Sequence, residues 1–300
     1  MYKIIVPYDF QELSDEALKQ AYQLAAFVSG KILLLVVLDS ELQTISSVFS
    51  KKIEASMQEE VTGRLQQVIA KAVSESGVEI GYRVETGRIY ERILAVAREE
   101  KPRFIVMGRT SKRSALLRFG SNTMRVVEKS ACPVITIPDL KTTSSFGKIV
   151  LPIDLLKQTR EEVFNAISFG LFFDATICLV SVVMGGISER KSRIYSKMKK
   201  MKAMIEENGV RCTEKLFRKG DQSIHEMIVR YVEEVNADTV MIMTQQEGLG
   251  PSGSRYIGAV AHQIIDSSPV PVISLTSTAA IDSLSEKSRF WFNKLFPLKA

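Results

Sequence analysis

The stretch most able to do chemistry is Met107-Gly108-Arg109-Thr110-Ser111-Lys112-Arg113-Ser114-Ala115-Leu116-Leu117-Arg118-Phe119-Gly120-Ser121-Asn122-Thr123. Its glycines, hydroxyls and cations are the parts of an anion site. Gly108 lets backbone approach a ligand closely. Gly120 and Ser121 are placed to open a helix whose free N–H groups and positive dipole end favour a phosphate. Ser121 would either cap that helix or donate to a phosphate oxygen. Arg109, Lys112, Arg113, Arg118 and Arg125 have no acidic residue among them and add attraction without base specificity. The Gly-Lys-Ser/Thr tail of a Walker A loop is missing. Asp9 is a second candidate. It follows the apolar run Lys3-Ile4-Ile5-Val6-Pro7-Tyr8, and either holds a ligand or caps the turn after a strand.

Other chemistries lack their residues. Only two histidines occur, His225 and His262, too few for a histidine-rich metal site. The three cysteines, Cys132, Cys178 and Cys212, lie far apart without metal-ligand spacing and read as buried, inert thiols. There is no Gly-x-Ser-x-Gly elbow, no His-x-Gly-His pair and no Ser-Gly-Gly-x-Asp-Ser loop. A serine hydrolase, a nucleotidyltransferase or synthetase, and an ATP pyrophosphatase are therefore not expected. No catalytic residue is assigned, and a slow ATPase is the weakest of the enzymatic readings.

The elements that must position these residues can be read from the apolar pattern. Residues 3–7 form a short strand. Ser14 offers an N-cap, with Leu13 and Leu18 as a staple. Leu18, Tyr22, Ala25 and Ala26 make a helical stripe that Gly30 ends. Ile32–Leu38 is a continuous apolar run, as in a parallel strand covered on both faces. A polar helix over 50–75 follows, then a strand over 80–84, a helix over 90–98, a strand over 104–107, a helix over 121–130 and a strand over 134–137. This alternation predicts α/β architecture: a doubly wound, five-stranded parallel sheet with ligands beyond the carboxyl ends of its strands.

The pattern occurs twice. Lys148-Ile149-Val150-Leu151-Pro152-Ile153-Asp154 repeats the opening strand, and Val270-Pro271-Val272-Ile273 repeats Cys132-Pro133-Val134-Ile135. Val240-Met241-Ile242-Met243-Thr244 echoes Phe104-Ile105-Val106-Met107-Gly108. Two homologous domains over 300 residues are expected, at 1–140 and 147–276, with an amphipathic tail over 277–300.

On these residues the chain resembles the universal stress protein family in its tandem form. The opening Val-Pro-Tyr-Asp-Phe and the Val-Met-Gly…Phe-Gly-Ser-Asn-Thr…Cys-Pro-Val-Ile stretch carry the resemblance, over 1–138 and more faintly over 148–275. It implies an adenine nucleotide alpha hydrolase-like fold and a stress-response regulator that binds ATP, with Mg, or a related adenine nucleotide in its first domain. It implies that Pro7 and Asp9 belong to the cofactor site at the end of the first strand, with Asp9 hydrogen-bonding the nucleotide, and that Val37 presents backbone to adenine. Gly108, Gly120, Ser121 and Asn122 would surround the phosphates, and Met107 and Arg109 would belong to the same cofactor site. The ATP-binding branch carries G-x2-G-x9-G-[ST]. Here Ser111 stands at the second glycine, and eight residues separate it from Gly120. A nucleotide-independent interaction module is the alternative.

The second half carries Thr244-Gln245-Gln246-Glu247 at the first two glycine positions and Gly258-Ala259 in place of Gly-Ser. It reads as degenerate for nucleotide and as a built-in partner of the first. The resemblance implies pairing along the last strands, giving an intramolecular pseudo-dimer that can dimerise again. Net charge is +6, spread as +2 in each of 1–140, 141–275 and 276–300, so no nucleic-acid footprint is seen. The basic run from Arg190 to Lys202 reads as the solvated face of a helix. The tail, with Phe290, Trp291 and Phe292 among Lys287, Arg289 and Lys294, is expected to dock on protein rather than on a membrane. No apolar run reaches the length of a span, and a cytoplasmic location is expected.

Overall fold

Five short apolar runs in each half become parallel strands because only a sheet covered on both faces buries such runs completely. The computed structural model describes residues 2–39, 50–109, 122–138, 146–154, 159–183, 192–244 and 257–275. The chain divides into two units, Met1–Thr142 and Thr143–Ala300.

The first unit runs β1 (Lys3–Pro7), α1 (Glu12–Val28), β2 (Lys31–Leu38), α2 (Ser50–Ser76), β3 (Ile80–Thr86), α3 (Ile89–Glu100), β4 (Phe104–Gly108), α4 (Asn122–Lys129) and β5 (Val134–Ile137). Its strands lie in the order β3-β2-β1-β4-β5 with parallel neighbours. The order reverses between β1 and β4, which makes the crevice beyond their carboxyl ends the switch point. Ile4, Ile5, Leu34, Leu35, Phe104, Ile105 and Ile137 are completely buried or nearly so.

The second unit repeats this plan: β6 (Lys148–Pro152), α5 (Thr159–Phe173), β7 (Thr176–Val183), α6 (Arg193–Glu207), β8 (Cys212–Arg218), α7 (Ile224–Glu234), β9 (Thr239–Met243), α8 (Ala259–Ser267) and β10 (Val272–Leu275). The order is β10-β9-β6-β7-β8, again parallel.

The repeat extends to individual hydrogen bonds. Tyr8 N–H donates to Leu35 O and Ile153 N–H to Val180 O, both at 2.9 Å. Arg109 N–H reaches Ile137 O and Thr244 N–H reaches Leu275 O, both at 2.8 Å. The Ser130 hydroxyl donates to Cys132 O at 2.8 Å, and Ser268 to Val270 O at 2.7 Å. Ser29 and Asp174 end their helices in the same left-handed conformation, at φ 47° and 50°.

These bonds correct the expected alignment by one residue. Ile105 N–H donates to Pro133 O and Val240 N–H to Pro271 O, each at 3.0 Å, so Ile105 corresponds to Val240. Met243, not Thr244, therefore stands where the first unit has Gly108. The runs being compared are apolar throughout, so side-chain type alone could not fix the offset.

Helix α1 also departs from the sequence reading. Its N-cap is Gln11, and Ser14 lies inside the first turn. The buried stripe is Leu18, Ala21, Leu24, Ala25 and Val28, while Ala26 is exposed and Tyr22 half-buried. These buried positions are spaced three, four and seven apart and share one helix face, which is turned toward Ala21 and Leu24 and away from Tyr22 and Ala26. Gly30 is needed for space: a Cβ there would meet Tyr2 O at 2.9 Å.

Candidate functional site

The site is assembled at the carboxyl ends of β1, β2 and β4. The β1–β2 ladder stops at Pro7↔Leu35, followed only by the Tyr8–Leu35 bond. The chain then turns sharply. Asp9 is exposed, and its Oδ1 accepts the Gln11 N–H at 3.0 Å. Phe10 adopts φ 62°, in the left-handed region that few residues other than glycine visit. The Ser14 hydroxyl donates to Gln11 O at 2.8 Å and lies 3.4 Å from the Asp9 N–H that it accepts. Asp9 thus caps the turn with one carboxylate oxygen and remains accessible to solvent.

Tyr8 holds this turn to α1. It is buried, and its hydroxyl donates to Asp15 in the first turn of the helix. Burial first, then the hydrogen bond to Asp15, push its pKa far above the ordinary tyrosine range. The hydroxyl stays protonated near neutrality and donates to Asp15.

Val37 lies beyond the end of the β1–β2 ladder and pairs with Glu85 of β3. Its β1-facing side therefore looks toward the crevice, which suits a backbone contact to a ligand. The residues after β3 serve structure. Burial raises the Glu85 pKa, but hydrogen bonds from Arg92 and Arg83 outweigh it and hold the carboxyl below its usual range. Gly87 has φ 140°, and a Cβ there would lie 3.1 Å from Arg92 Cδ.

At the end of β4, Met107 is buried and Gly108 pairs with Ile137. A Cβ on Gly108 would lie 2.8 Å from Leu13 Cβ, so the missing side chain admits α1. The Gly108 carbonyl accepts the Thr123 hydroxyl at 3.2 Å. Thr123 is buried in the first turn of α4, right after Asn122, and it ties that helix N-terminus to the end of β4. Arg109 is half-buried, and its guanidinium reaches Pro138 O at 3.4 Å. Gly120 and Ser121, with 110–119, lie outside the described residues, as does the 277–300 tail.

The structure thus brings Pro7, Asp9, Val37, Met107, Gly108, Arg109 and Asn122 to one end of one sheet. The sequence reading did not assign Leu13, Thr123 or Arg64. Arg64 of α2 sits with its guanidinium carbon 4.3 Å above the Phe10 ring centroid. Arg125, grouped by sequence with the loop cations, lies on α4 and stacks on Tyr90 at 4.7 Å.

The second unit differs at two corresponding points. Asp154 is exposed, and its carbonyl accepts Lys197 Nζ at 2.5 Å. Met243 fills the Gly108 position, with Asn165 Nδ2 3.7 Å from its sulfur. The Arg190–Lys202 run is more than a solvated face, because Lys199 and Lys202 of α6 both pair with Glu214 of β8.

Among the described residues, no cluster of three or more His, Cys, Asp or Glu side chains could hold a metal ion. Burial raises the Cys132 and Cys178 thiols and pushes Cys212 up to about 12, so none is a thiolate near neutrality. No helix among the described residues is long and apolar enough to cross a membrane.

The profile of the universal stress protein family matches residues 1–138, the whole segment that carries this site. The N-terminal unit belongs to the universal stress protein family. Universal stress protein MJ0531 of Methanocaldococcus jannaschii is 27% identical over 137 residues, which is 45% of this chain and 81% of that protein. A universal stress protein structure from Archaeoglobus fulgidus superposes with a TM-score of 0.71 at 20% identity, covering 92% of this chain and 96% of its own. The functionally unknown protein PA1789 from Pseudomonas aeruginosa gives 0.65 at 18% identity, covering 97% and 98%. These two likenesses span both units and establish a shared fold, a doubly wound parallel α/β sheet in each unit.

Proposed function

We propose that the protein is a stress-response regulator whose first unit binds ATP or a related adenine nucleotide. The observation that carries this reading is the junction Gly108–Thr123. It holds the N-terminus of α4 against the end of β4 at the switch point, where free N–H groups favour a phosphate. Val37 offers backbone at the adenine position, and Asp9 offers a carboxylate oxygen to a ribose hydroxyl. Gly120, Ser121 and Asn122 would complete the phosphate side, and any Mg would arrive with the phosphates. The reading is of a ligand-binding protein, with no residue assigned a catalytic role.

A second reading, a nucleotide-independent interaction module, is favoured by one observation. The Asp9 carboxylate is already engaged by the Gln11 N–H. The deciding experiment is to heat-denature freshly purified protein and identify released nucleotide by chromatography, then to titrate ATP. Release near one adenine nucleotide per chain supports binding. A blank together with a flat titration at millimolar ATP overturns it and leaves the interaction module.

A further inference from the structure

We infer that Arg64 of α2 is a phosphate-contacting residue of the first-unit site, an inference that rests on the nucleotide reading above. Phe10 follows Asp9 directly and takes a left-handed backbone conformation. The Tyr8 ring meets it edge-on at 5.2 Å, and Tyr8 is anchored to Asp15. The ring is therefore a held platform, and the Arg64 guanidinium lies over it. A guanidinium stacked on an aromatic face keeps its N–H donors in its own plane, available to phosphate oxygens.

Charge pairing separates Arg64 from its neighbours. Arg83 and Arg92 pair with Glu85, and Arg88 pairs with Glu91. Arg64 is exposed and makes no ion pair with any described residue. Its positive charge is thus presented beside the turn that ends β1, with no carboxylate of a described residue within ion-pair distance.

The repeat supplies an independent observation. Arg64 immediately precedes buried Leu65, with Ala72 buried one heptad later. Lys197 immediately precedes buried Met198, with Ile205 buried at the same spacing. In both units, the second helix sends a cation to the turn after the first strand. In the second unit that cation is consumed, because Lys197 donates to the Asp154 carbonyl. In the first unit the cation rests on an aromatic ring, which takes up none of its donors. A structural tie would have used the backbone carbonyl in both.

The test uses the full-length protein, wild type against Arg64→Gln and Arg64→Lys, titrated with ATP, adenosine and inorganic tripolyphosphate. Melting temperatures confirm that each variant is folded. Arg64→Gln should weaken ATP by about tenfold, since a lost charge-assisted bond costs roughly that much, and leave adenosine unchanged. Arg64→Lys should fall between, and the salt dependence of ATP binding should be shallower in Arg64→Gln. Equal ATP affinity in wild type and Arg64→Gln overturns the inference while sparing the nucleotide reading, whereas wild type that binds adenosine but not ATP overturns both. If wild type binds neither, the nucleotide reading fails, and tripolyphosphate decides. Weaker binding in Arg64→Gln upholds the phosphate contact. Equal binding or none overturns it.

Discussion

Leu13 of α1 occupies the space that a side chain on residue 108 would need. A Cβ built on Gly108 lies 2.8 Å from Leu13 Cβ and 3.0 Å from Leu13 O. The second contact is with backbone, which cannot rotate away. Gly108 therefore sets how closely the start of α1, with its Asp9–Ser14 turn, approaches the end of β4. Gly108→Ala should cost about 1–3 kcal/mol by overpacking and should weaken nucleotide binding as well. Leu13→Ala should not rescue it, because both offending atoms remain. Urea unfolding of the two single variants and the double variant checks this. Recovery in the double variant would show that the contact is softer than the backbone geometry implies.

Thr123 tests whether the α4 N-terminus must be tethered. Thr123→Val keeps the shape but removes the donor to Gly108 O, leaving that carbonyl without this bond. The expected cost is about 1 kcal/mol of stability, with weaker ATP binding in the same variant. Thr123→Ser should restore both. If Thr123→Val loses stability but binds ATP as the wild type does, the tether is structural only.

The strands were legible because short apolar runs such as Ile4-Ile5-Val6 and Leu34-Leu35-Val36, repeated between helical patterns, suit a sheet covered on both faces. The first turn of α1 was not. Ser14 has the composition of an N-cap, yet the helix begins earlier because Phe10 takes a left-handed conformation that propensity assigns to glycine. Arg64 was equally invisible, being one arginine among polar residues of a long helix until Phe10 is seen beneath it. The match of Gly108 to Met243 was hidden by the uniformly apolar strand and appeared only in the hydrogen-bond register.

Asp9 separates its two roles cleanly. Asp9→Asn keeps an oxygen to accept the Gln11 N–H, so the turn should persist and stability should change by less than about 0.5 kcal/mol. Asp9→Ala removes the cap and should cost about 1 kcal/mol. If the carboxylate also binds the ligand, both variants lose ATP affinity. If it only caps, Asp9→Asn binds as the wild type does. Paired thermal melts and ATP titrations distinguish the outcomes.

Glu85 makes stability depend on pH with a definite sign. Arg92 and Arg83 hold its folded-state pKa below the ordinary value of 4.5. A depressed carboxylate stabilises the fold above its unfolded pKa, and that contribution is lost as pH falls through the folded value. Glu85→Gln should therefore cost about 1–3 kcal/mol at neutral pH. The gap to wild type should close as the medium is acidified below the ordinary carboxylate range. Urea unfolding of both proteins across that range checks this, and a gap independent of pH would contradict it.

Nucleotide stoichiometry follows from the two differences between the units. In the second unit Met243 puts a side chain where the first has none, and Lys197 closes onto the Asp154 carbonyl where Arg64 is left on Phe10. One change crowds the end of the fourth strand. The other removes the cation that would face a phosphate. Binding should therefore saturate at about one nucleotide per chain, consistent with one intact crevice. Asp154→Asn should leave it unchanged, while Arg64→Gln should lower affinity without altering stoichiometry. Calorimetric titration of the full chain measures both quantities. A stoichiometry near two, reduced by Asp154→Asn, would show that the second crevice still admits a ligand and that Lys197 yields to it.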